Sequence, residues 1–447
     1  MKKTSLCITV LLLGGCSLVP AYHRPDVVTP ATWSGAQSGE TRIAADWWTQ
    51  FGSAELDRLM QDALAQNNDL RASLARVDQA RAGLRIAGAS LLPTADASLG
   101  ATRTRSNPAS GPINTDNSWR AGAGISYELD LFGANRAGVE AARAQLLGSE
   151  YDRDALALVV MGDVANAYFN ILNLRERLAI AELNLKLAKD VLGVVQARFD
   201  AGASSALELS QQKTALSNTE AQLASLRNQL NAAENALSVL LARPPQSDAF
   251  AGENLTGITV PAISPGQPSE LLERRPDLRS AEAGLLAANA NIGAARAAFY
   301  PSVNLGLDGS AAWSPLSSAI SLSSSLVAPL FQGGRLEGGL ESATARQVEL
   351  TENYRKTVYN AFREVEDALS AAKAAQARQI AYAQSLREAE KSYNLSRELY
   401  IAGSIDFQTL LNTQSSLFSA QDSAASAKLE MLNAAIDLYK ALGGGWQ

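Results

Sequence analysis

The two halves of this 447-residue chain carry the same residue pattern, about 201 positions apart. Small or apolar residues keep one heptad frame in both halves, where Leu216, Leu223, Leu226, Leu230 and Leu237 correspond to Leu417, Ala424, Ala427, Met431 and Leu438. Heptads of this kind are typical of coiled-coil helices. The sequence therefore predicts an internal two-fold structural repeat.

Each half also contains the same succession of predicted elements. Repeat 1 (53–242) has a helix (about 53–88), two strands (about 93–132), a long helix (about 134–199), a turn (200–205) and a return helix. Repeat 2 (269–442) has a helix (about 269–298), two strands (about 301–331), a long helix (about 334–400), a turn (401–406) and a return helix. A linker rich in Pro, Gly and Ser (243–268) joins the repeats, and 443–447 form a tail. At ~1.5 Å per residue each long helix would measure roughly 100 Å, which favours a coiled-coil body over a compact core.

The strand segments alternate between apolar and polar residues. Ile125, Tyr127 and Leu129 fall on one face, and Glu128 and Asp130 fall on the other. This alternation suits a sheet on a core or a transmembrane barrel, and the expected length of about ten to twelve residues favours the barrel. Four strands cannot close a barrel with a usable lumen, so several chains would have to share one.

The N-terminus is typical of an exported lipoprotein. Lys2 and Lys3 precede a short apolar run, and Gly14 and Gly15 precede Cys16. We expect residues 1–15 to be a signal peptide and Cys16 to become the lipidated first residue of the mature chain. Residues 16–52 are then the lipid anchor and an extended N-terminal segment.

Composition excludes several classes of function. Removal of Lys2 and Lys3 leaves 37 basic and 45 acidic residues, a net charge of −8 that disfavours nucleic-acid binding. His23 is the only histidine, so histidine-based metalloprotease and Ser-His-Asp sites are absent from the folded body, and phosphate-binding glycine motifs are missing too. We expect no enzymatic activity and no cofactor apart from the lipid. No uninterrupted apolar stretch after residue 16 suits a transmembrane helix.

Both predicted turns contain an Ala-Gly pair. Gly202 and Gly403 stand where a helix would end in a left-handed conformation. Ser205 is followed three residues later by Glu208, which predicts a capping box, and Asp406 holds the matching N-cap position.

In its order of motifs the chain resembles the TolC-like outer-membrane efflux channels, in the lipoprotein branch that serves resistance-nodulation-division pumps. The resemblance covers essentially the whole mature chain. Its carriers are the lipobox cysteine, WWTQFGSAELDRLMQDALAQNNDL, ISYELDLFG, ERRPDLRSAEAGLLAANANIGAARAAFYPSVNL and the two turns with LLNTQSSLFSAQ.

The resemblance implies an α+β membrane protein that forms a homotrimer. Four strands from each chain would build one 12-stranded outer-membrane β-barrel, and the helices would build a periplasmic coiled-coil tunnel. The implied partners are outer-membrane lipid, a periplasmic adaptor (membrane fusion) protein and an inner-membrane resistance-nodulation-division pump. The implied function is passive conduction of drugs or other small molecules, with antibiotic resistance as the outcome.

The resemblance also assigns roles at the hairpin tips. An acidic LLD-type motif that narrows the channel in the family reads LLNTQ here, which places Gln408 and Asn412 at the gate. Asp406, just before them, is assigned to the same constriction. Arg198, Asp200 and Arg397 are expected to hold adjacent hairpins together at the tips. Gly202, Ser205, Tyr400 and Gly403 belong to the same tips, which are also the expected docking surface for the adaptor.

Two other functions fit parts of the sequence. A channel for type I protein secretion would share the fold, although a lipobox is uncommon among such channels. A non-conducting periplasmic coiled-coil scaffold lipoprotein would account for the heptads and the lipid but leaves the four alternating strands unexplained.

Overall fold

The computed structural model describes residues 17–34, 43–107, 109–245, 250, 253–313 and 316–444. The predicted signal peptide and Cys16 lie outside these residues. Helices and strands follow one another in the order α1 (Ala54–Gln66), α2 (Asn68–Ala89), β1 (Thr94–Ser106), β2 (Asn114–Leu129), α3 (Ala134–Asp200), α4 (Ala206–Leu240), α5 (Leu271–Arg274), α6 (Pro276–Ala297), β3 (Ser302–Trp313), β4 (Ser317–Val327), α7 (Arg335–Ile401) and α8 (Phe407–Ala441). The described chain is mostly helical, with one four-stranded sheet.

Two helical hairpins of equal size dominate this order. The first hairpin consists of α3 and α4, with 67 and 35 residues, and the second hairpin consists of α7 and α8, with the same two lengths. Each residue of the first hairpin therefore has a counterpart in the second hairpin 201 positions later.

The first helix of each repeat is broken into two pieces, α1 with α2 and α5 with α6, whereas the sequence pattern predicts one continuous helix in each repeat. Asn67 separates α1 from α2, because its Oδ1 accepts hydrogen bonds from the amides of Asp69 (2.9 Å) and Leu70 (3.1 Å) and thereby starts a new helix. Arg275 separates α5 from α6 with ψ 122°, the extended conformation that a following Pro276 imposes.

Each break also reaches the end of a return helix. The Asn67 side-chain amide donates to the Leu240 carbonyl (2.8 Å), and the Arg275 guanidinium donates to the Ala441 carbonyl (3.0 Å). Carbonyls in the last turn of a helix have no partner within the helix, so both breaks satisfy a helix C-terminus.

The chain folds into two compact units. The first comprises Ala75–Asp152, Asp277–Thr357 and the described part of Met1–Val27. It contains the sheet, in which β1, β2, β3 and β4 are antiparallel neighbours in that order.

The register of the sheet separates apolar from polar residues. Ile125 lies opposite Leu307, Tyr127 opposite Leu305, and Leu307 opposite Leu322. The opposite face carries Asp96, Glu128, Asn304, Asp308 and a row of serines from β4. The predicted alternation is therefore confirmed. Large side chains of the apolar face, such as Leu99 and Ile320, are exposed in the single chain.

The second unit comprises the described parts of Val28–Leu74, Arg153–Pro276 and Val358–Gln447. Its core is aromatic: the Trp47 ring stacks on Tyr439 with centroids 4.8 Å apart, and Phe51 lies 5.1 Å from Phe169. The Tyr168 hydroxyl donates to Glu253 Oε2 over 2.8 Å beside this core.

This core also corrects one expectation. By length and composition, α3 contains a segment apolar enough to cross a membrane, whereas no such segment was expected after residue 16. More than half of that segment is buried, and Val164, Phe169 and Ile171 of α3 are fully buried in the core of the second unit. This segment is apolar because it packs inside the protein.

Candidate functional site: the tips of the two hairpins

The turn of the first hairpin ends α3 with a pair of backbone hydrogen bonds. Gly202 has φ +72°, its amide donates to the Phe199 carbonyl (2.9 Å), and the Ala203 amide donates to the Arg198 carbonyl (2.7 Å). These two bonds define a Schellman motif, in which a left-handed residue satisfies the last carbonyls of a helix.

The turn of the second hairpin repeats this geometry. Gly403 has φ +75°, its amide donates to Tyr400 O (3.0 Å), and the Ser404 amide donates to Leu399 O (2.8 Å). The predicted helix-ending role of both glycines is confirmed.

Both return helices start at the predicted N-caps. Ser205 Oγ accepts from the Glu208 amide (3.2 Å), and Asp406 Oδ1 accepts from the Thr409 amide (2.7 Å). Hydrogen bonds from the side chain and the backbone of Thr409 lower the pKa of Asp406.

The capping box is only half formed. Glu208 Oε2 accepts from Ser204 Oγ (2.7 Å) and from the Tyr400 hydroxyl (3.2 Å) instead of turning back to the Ser205 amide. This carboxylate therefore joins the two tips, a role that sequence alone does not reveal because Tyr400 is 192 residues away. Burial and the Glu208 carboxylate raise the pKa of Tyr400.

Arg198 makes a second connection between the tips. Its Nη1 donates to the Tyr400 carbonyl (2.7 Å), and its guanidinium carbon lies 4.7 Å from the centroid of the Tyr400 ring. The arrangement combines a charge-assisted hydrogen bond with a cation–π contact.

The other two charged residues predicted for the tips are not part of this contact. Asp200 is exposed and accepts from Gln196 Nε2 (2.9 Å) of its own helix. Arg397 is exposed on α7. Their expected role between neighbouring hairpins stays a prediction.

An apolar cluster lies beneath the tips. It consists of Val191, Val195, Leu209, Tyr393, Tyr400, Phe407, Leu410 and Leu417, all buried. The Tyr400 and Phe407 rings meet edge to face with centroids 5.9 Å apart. The heptad pattern located Leu417, but it gave no sign that both tips share one cluster.

All three residues predicted for the gate, Asp406, Gln408 and Asn412, are exposed, and the last two are bonded to each other. Gln408 Nε2 donates to Asn412 Oδ1 over 2.9 Å along α8. Asn412 lines a groove of about 740 Å³ between α4 and α8, together with Gln211, Thr214, Asn218, Gln222, Gln414, Ser415, Ser419 and Asp422. The surface near Asn412 thus offers uncharged amides and hydroxyls, with a carboxylate only at Asp422.

Comparison with known proteins gives a consistent result. The family model described as outer membrane efflux protein matches residues 59–243 and 267–444, well over half of the chain. The pyoverdine export outer membrane protein OpmQ of Pseudomonas aeruginosa is 38% identical over 462 residues, which cover 100% of this chain and 98% of OpmQ. The cation efflux system protein CusC of Escherichia coli is 33% identical over 461 residues, which cover 100% of this chain and 99% of CusC.

A solved structure agrees with these sequence matches. The open state of the MtrE outer membrane channel of Neisseria gonorrhoeae aligns with a TM-score of 0.86 at 31% identity. The alignment covers 97% of this chain and 99% of MtrE.

Proposed function

This chain belongs to the outer membrane efflux protein family, and from that premise we propose that its trimer passively conducts small molecules from an inner-membrane pump to the cell exterior. As a member it is an outer-membrane channel component of an efflux system in a Gram-negative bacterium, it extends into the periplasm, and it is not an enzyme.

The observation that carries the proposal is the two-faced sheet. Between Leu129 and Trp119, the apolar face of β2 bears no charged residue. A strand tilted by roughly 40° would make this band about 25 Å tall, which is the height of the lipid-facing band of an outer-membrane barrel. Trp119 and Trp313 lie opposite each other where the band ends, as in an aromatic girdle.

The edges of the sheet favour assembly from several copies. Within the described chain β1 pairs only with β2, and β4 pairs only with β3, so each has one unpaired edge. Pairing β1 of one copy with β4 of the next would close the ring and satisfy every backbone group inside the membrane. Three copies supply twelve strands, enough for a barrel with a lumen.

The gate of this channel would lie at the tips. Asn412 and Gln408 from three copies would surround the threefold axis as a ring of amides. Three carboxylates at this place would repel one another and attract cations, whereas amides hydrogen-bond without a net charge. Arg198 and Glu208 would keep the tips closed until a periplasmic adaptor docks there and separates them.

Partners and anchoring complete the proposal. A periplasmic adaptor would join the tips to a resistance-nodulation-division pump, and a covalent lipid on Cys16 would hold each chain in the outer membrane. The names of the relatives refer to pyoverdine export and cation efflux, which supports small cargo over secreted proteins. Drugs are one class of such cargo.

Planar-bilayer recording of the purified protein tests the function. We expect discrete single-channel currents from particles with the mass of three chains. Wild type and Asn412→Ser should be weakly blocked by divalent cations, whereas Asn412→Asp should be strongly blocked. Strong block of the wild type would overturn the neutral gate, and a folded trimer without current would overturn the channel and favour the scaffold function.

A further inference from the structure

The charges of the four strands are divided unevenly between the two faces of the sheet. The charged strand residues are Asp96, Arg103, Arg105, Asp116, Arg120, Glu128 and Asp308. Arg103 lies opposite Asn117 and Arg105 lies opposite Thr115, which puts both arginines on the apolar face, together with Trp119. The other charged residues, including every carboxylate, lie on the polar face. We call Arg103 and Arg105 the arginine pair.

The arginine pair lies just beyond the aromatic end of the apolar face. Trp119 lies opposite Ala101, so Arg103 is about 7 Å and Arg105 about 14 Å past the tryptophan along β1. On the other side of this level, the same face of β1 is uncharged from Ala95 to Ala101. An uncharged band, then tryptophan and then arginine is the order that hydrocarbon, interface and headgroups of a lipid leaflet select.

The connections of the strands indicate which leaflet this is. Helices α2, α3, α6 and α7 join the strands at the other end of the sheet, next to Thr94, Leu129, Ser302 and Val327. A member of this family extends into the periplasm with its helices, so the end with the arginine pair faces the cell exterior. The outer leaflet there is formed by lipopolysaccharide, which carries phosphate groups above its acyl chains.

The apolar face also carries a shallow groove on the membrane side of the tryptophans. Its volume is about 720 Å³, and the side chains of this face that line it belong to Ala121, Ala123, Gly309, Ala311, Ser318 and Ile320. Ala121 and Ala123 are four and six residues from Asn117, the level of Arg103, which is roughly 14–20 Å along the strand. An acyl chain can therefore lie in the groove while its headgroup lies beside the arginine pair.

The side chains around the arginine pair suit a phosphate. A guanidinium donates two parallel hydrogen bonds to two phosphate oxygens and stays charged at any physiological pH. Asn117 and Thr115, directly opposite the pair, are uncharged, and Asp116 between them points to the other face. An anionic headgroup on this side of the strands thus meets attractive charges without a competing carboxylate.

We propose that the arginine pair binds the phosphate groups of lipopolysaccharide in the outer leaflet, with one acyl chain of the lipid in the groove formed by β2, β3 and β4. This inference rests on the proposed barrel and adds a lipid-binding site on its outer surface. Bound lipid would hold β1, an edge strand of the chain, at a fixed depth in the membrane. Free phosphate has the headgroup chemistry but no acyl chain, so it should bind far more weakly.

Binding of fluorescent lipid A, the phosphorylated lipid part of lipopolysaccharide, tests the site. Anisotropy titrations use the purified protein in an uncharged detergent. Arg103→Gln should raise Kd about fivefold, and Arg103→Gln with Arg105→Gln about thirtyfold, because each arginine near an anionic lipid adds a similar increment. Arg120→Gln removes the same charge from the polar face of the same sheet, so this matched control should change Kd by less than about twofold.

Two further ligands separate the phosphate from the acyl chain. Dephosphorylated lipid A should bind wild type and the double variant with equal affinity. Inorganic phosphate at millimolar concentration should leave labelled lipid A bound, and displacement by phosphate alone would overturn the lipid site in favour of a simple anion site. An unchanged Kd in the double variant, or an equal loss in Arg120→Gln, would also overturn it.

Planar-bilayer currents distinguish this inference from the proposed function. Both arginines are exposed, so the double variant should keep the mass of three chains and the conductance of wild type. If wild type conducts but the double variant binds lipid A as tightly as wild type, the lipid site is wrong and the channel stands. If the double variant loses binding thirtyfold while the folded wild type carries no current, the channel is wrong and the lipid site stands.

Discussion

The two hairpins share a backbone plan but differ in their surroundings. Both end their first helix in a Schellman turn at a glycine, with φ +72° and +75°, and both start the return helix at a capping side chain. Yet the middle of α3 is buried on nearly all sides, whereas the matching part of α7 has exposed residues in every turn. Turn geometry therefore follows from local sequence, while burial follows from which neighbours each helix has.

The largest expected effect comes from one matched position in the two long helices. Phe169 of α3 is fully buried, and its counterpart Ser370 of α7 is exposed. Phe169→Ala should lower the free energy of unfolding by about 3–5 kcal/mol, because it leaves a cavity in the aromatic core. Ser370→Ala should change it by less than about 0.5 kcal/mol.

Unfolding of the detergent-solubilised protein by denaturant, followed by helical circular dichroism, measures both changes. If both variants lowered the free energy of unfolding by similar amounts, the difference in burial between Phe169 and Ser370 would not contribute to stability.

The tips provide the next contrast, because only the first hairpin contributes an arginine to the contact between the two tips. Arg198 donates to the Tyr400 carbonyl, whereas its counterpart Leu399 is exposed. Arg198→Leu should weaken the contact by about 1.5 kcal/mol, the low end for a hydrogen bond to a charged group, since Arg198 is only half-buried. Amide exchange at the tips should then accelerate about tenfold.

Arg397→Leu is the matched control, since Arg397 is an exposed arginine near the same tip. Hydrogen exchange read by mass spectrometry on tip peptides distinguishes the two variants. Equal acceleration in both would show that arginine charge, and not the bond to Tyr400, stabilises the tip.

The ends of the return helices differ at the residue that takes the left-handed conformation. Ala242 has φ +56°, and its counterpart Gly443 has φ +91°, in matching Schellman turns. Ala242→Gly should raise the free energy of unfolding by about 0.5–1 kcal/mol, because a left-handed alanine is strained. Gly443→Ala should lower it by about 1–2 kcal/mol, because strain adds to a Cβ only 3.2 Å from Arg275 Cγ.

Thermal unfolding of the two variants gives opposite shifts of Tm if this account holds. A loss of stability in Ala242→Gly would mean that the flexibility of glycine in the unfolded chain outweighs the strain.

These contrasts show what could be predicted from the sequence. Heptads and Ala-Gly turns fix local backbone states, so the long helices, both turns and the two N-caps were located within a few residues. The strand faces followed from alternation alone. The four-stranded antiparallel order itself appeared only when the strands were paired in space.

Interactions over long sequence distances could not be predicted. The break at Asn67 depends on a side chain that also reaches Leu240, and a periodic apolar pattern runs through it unchanged. The bond from Glu208 to Tyr400 replaced a local capping box, because a partner from the other hairpin competed for the carboxylate. The gate role proposed for Gln408 and Asn412 depends on neighbouring copies around a common axis and not on contacts within one chain.

The smallest expected effect distinguishes the two N-caps by their response to pH. Asp406 has a pKa lowered from the ordinary value of 3.8, because Thr409 donates hydrogen bonds to its ionised form. A lowered folded-state pKa means that its contribution to stability is present above the unfolded value and is lost as the pH falls through the folded value. Ser205 does not titrate, so its contribution, about 1 kcal/mol relative to alanine, should not depend on pH.

Asp406→Asn keeps an acceptor for the Thr409 amide and removes the titration. The difference in unfolding free energy between wild type and Asp406→Asn should therefore be constant from neutral pH down to about pH 4, and should shift in favour of the variant at about pH 3. Ser205→Ala, measured by the same denaturant titrations, should show one constant loss throughout. Two outcomes would contradict the assignment of a charged cap to the second hairpin and a neutral cap to the first. One is a loss of stability in Ser205→Ala that changes with pH, and the other is a difference between wild type and Asp406→Asn that does not change with pH.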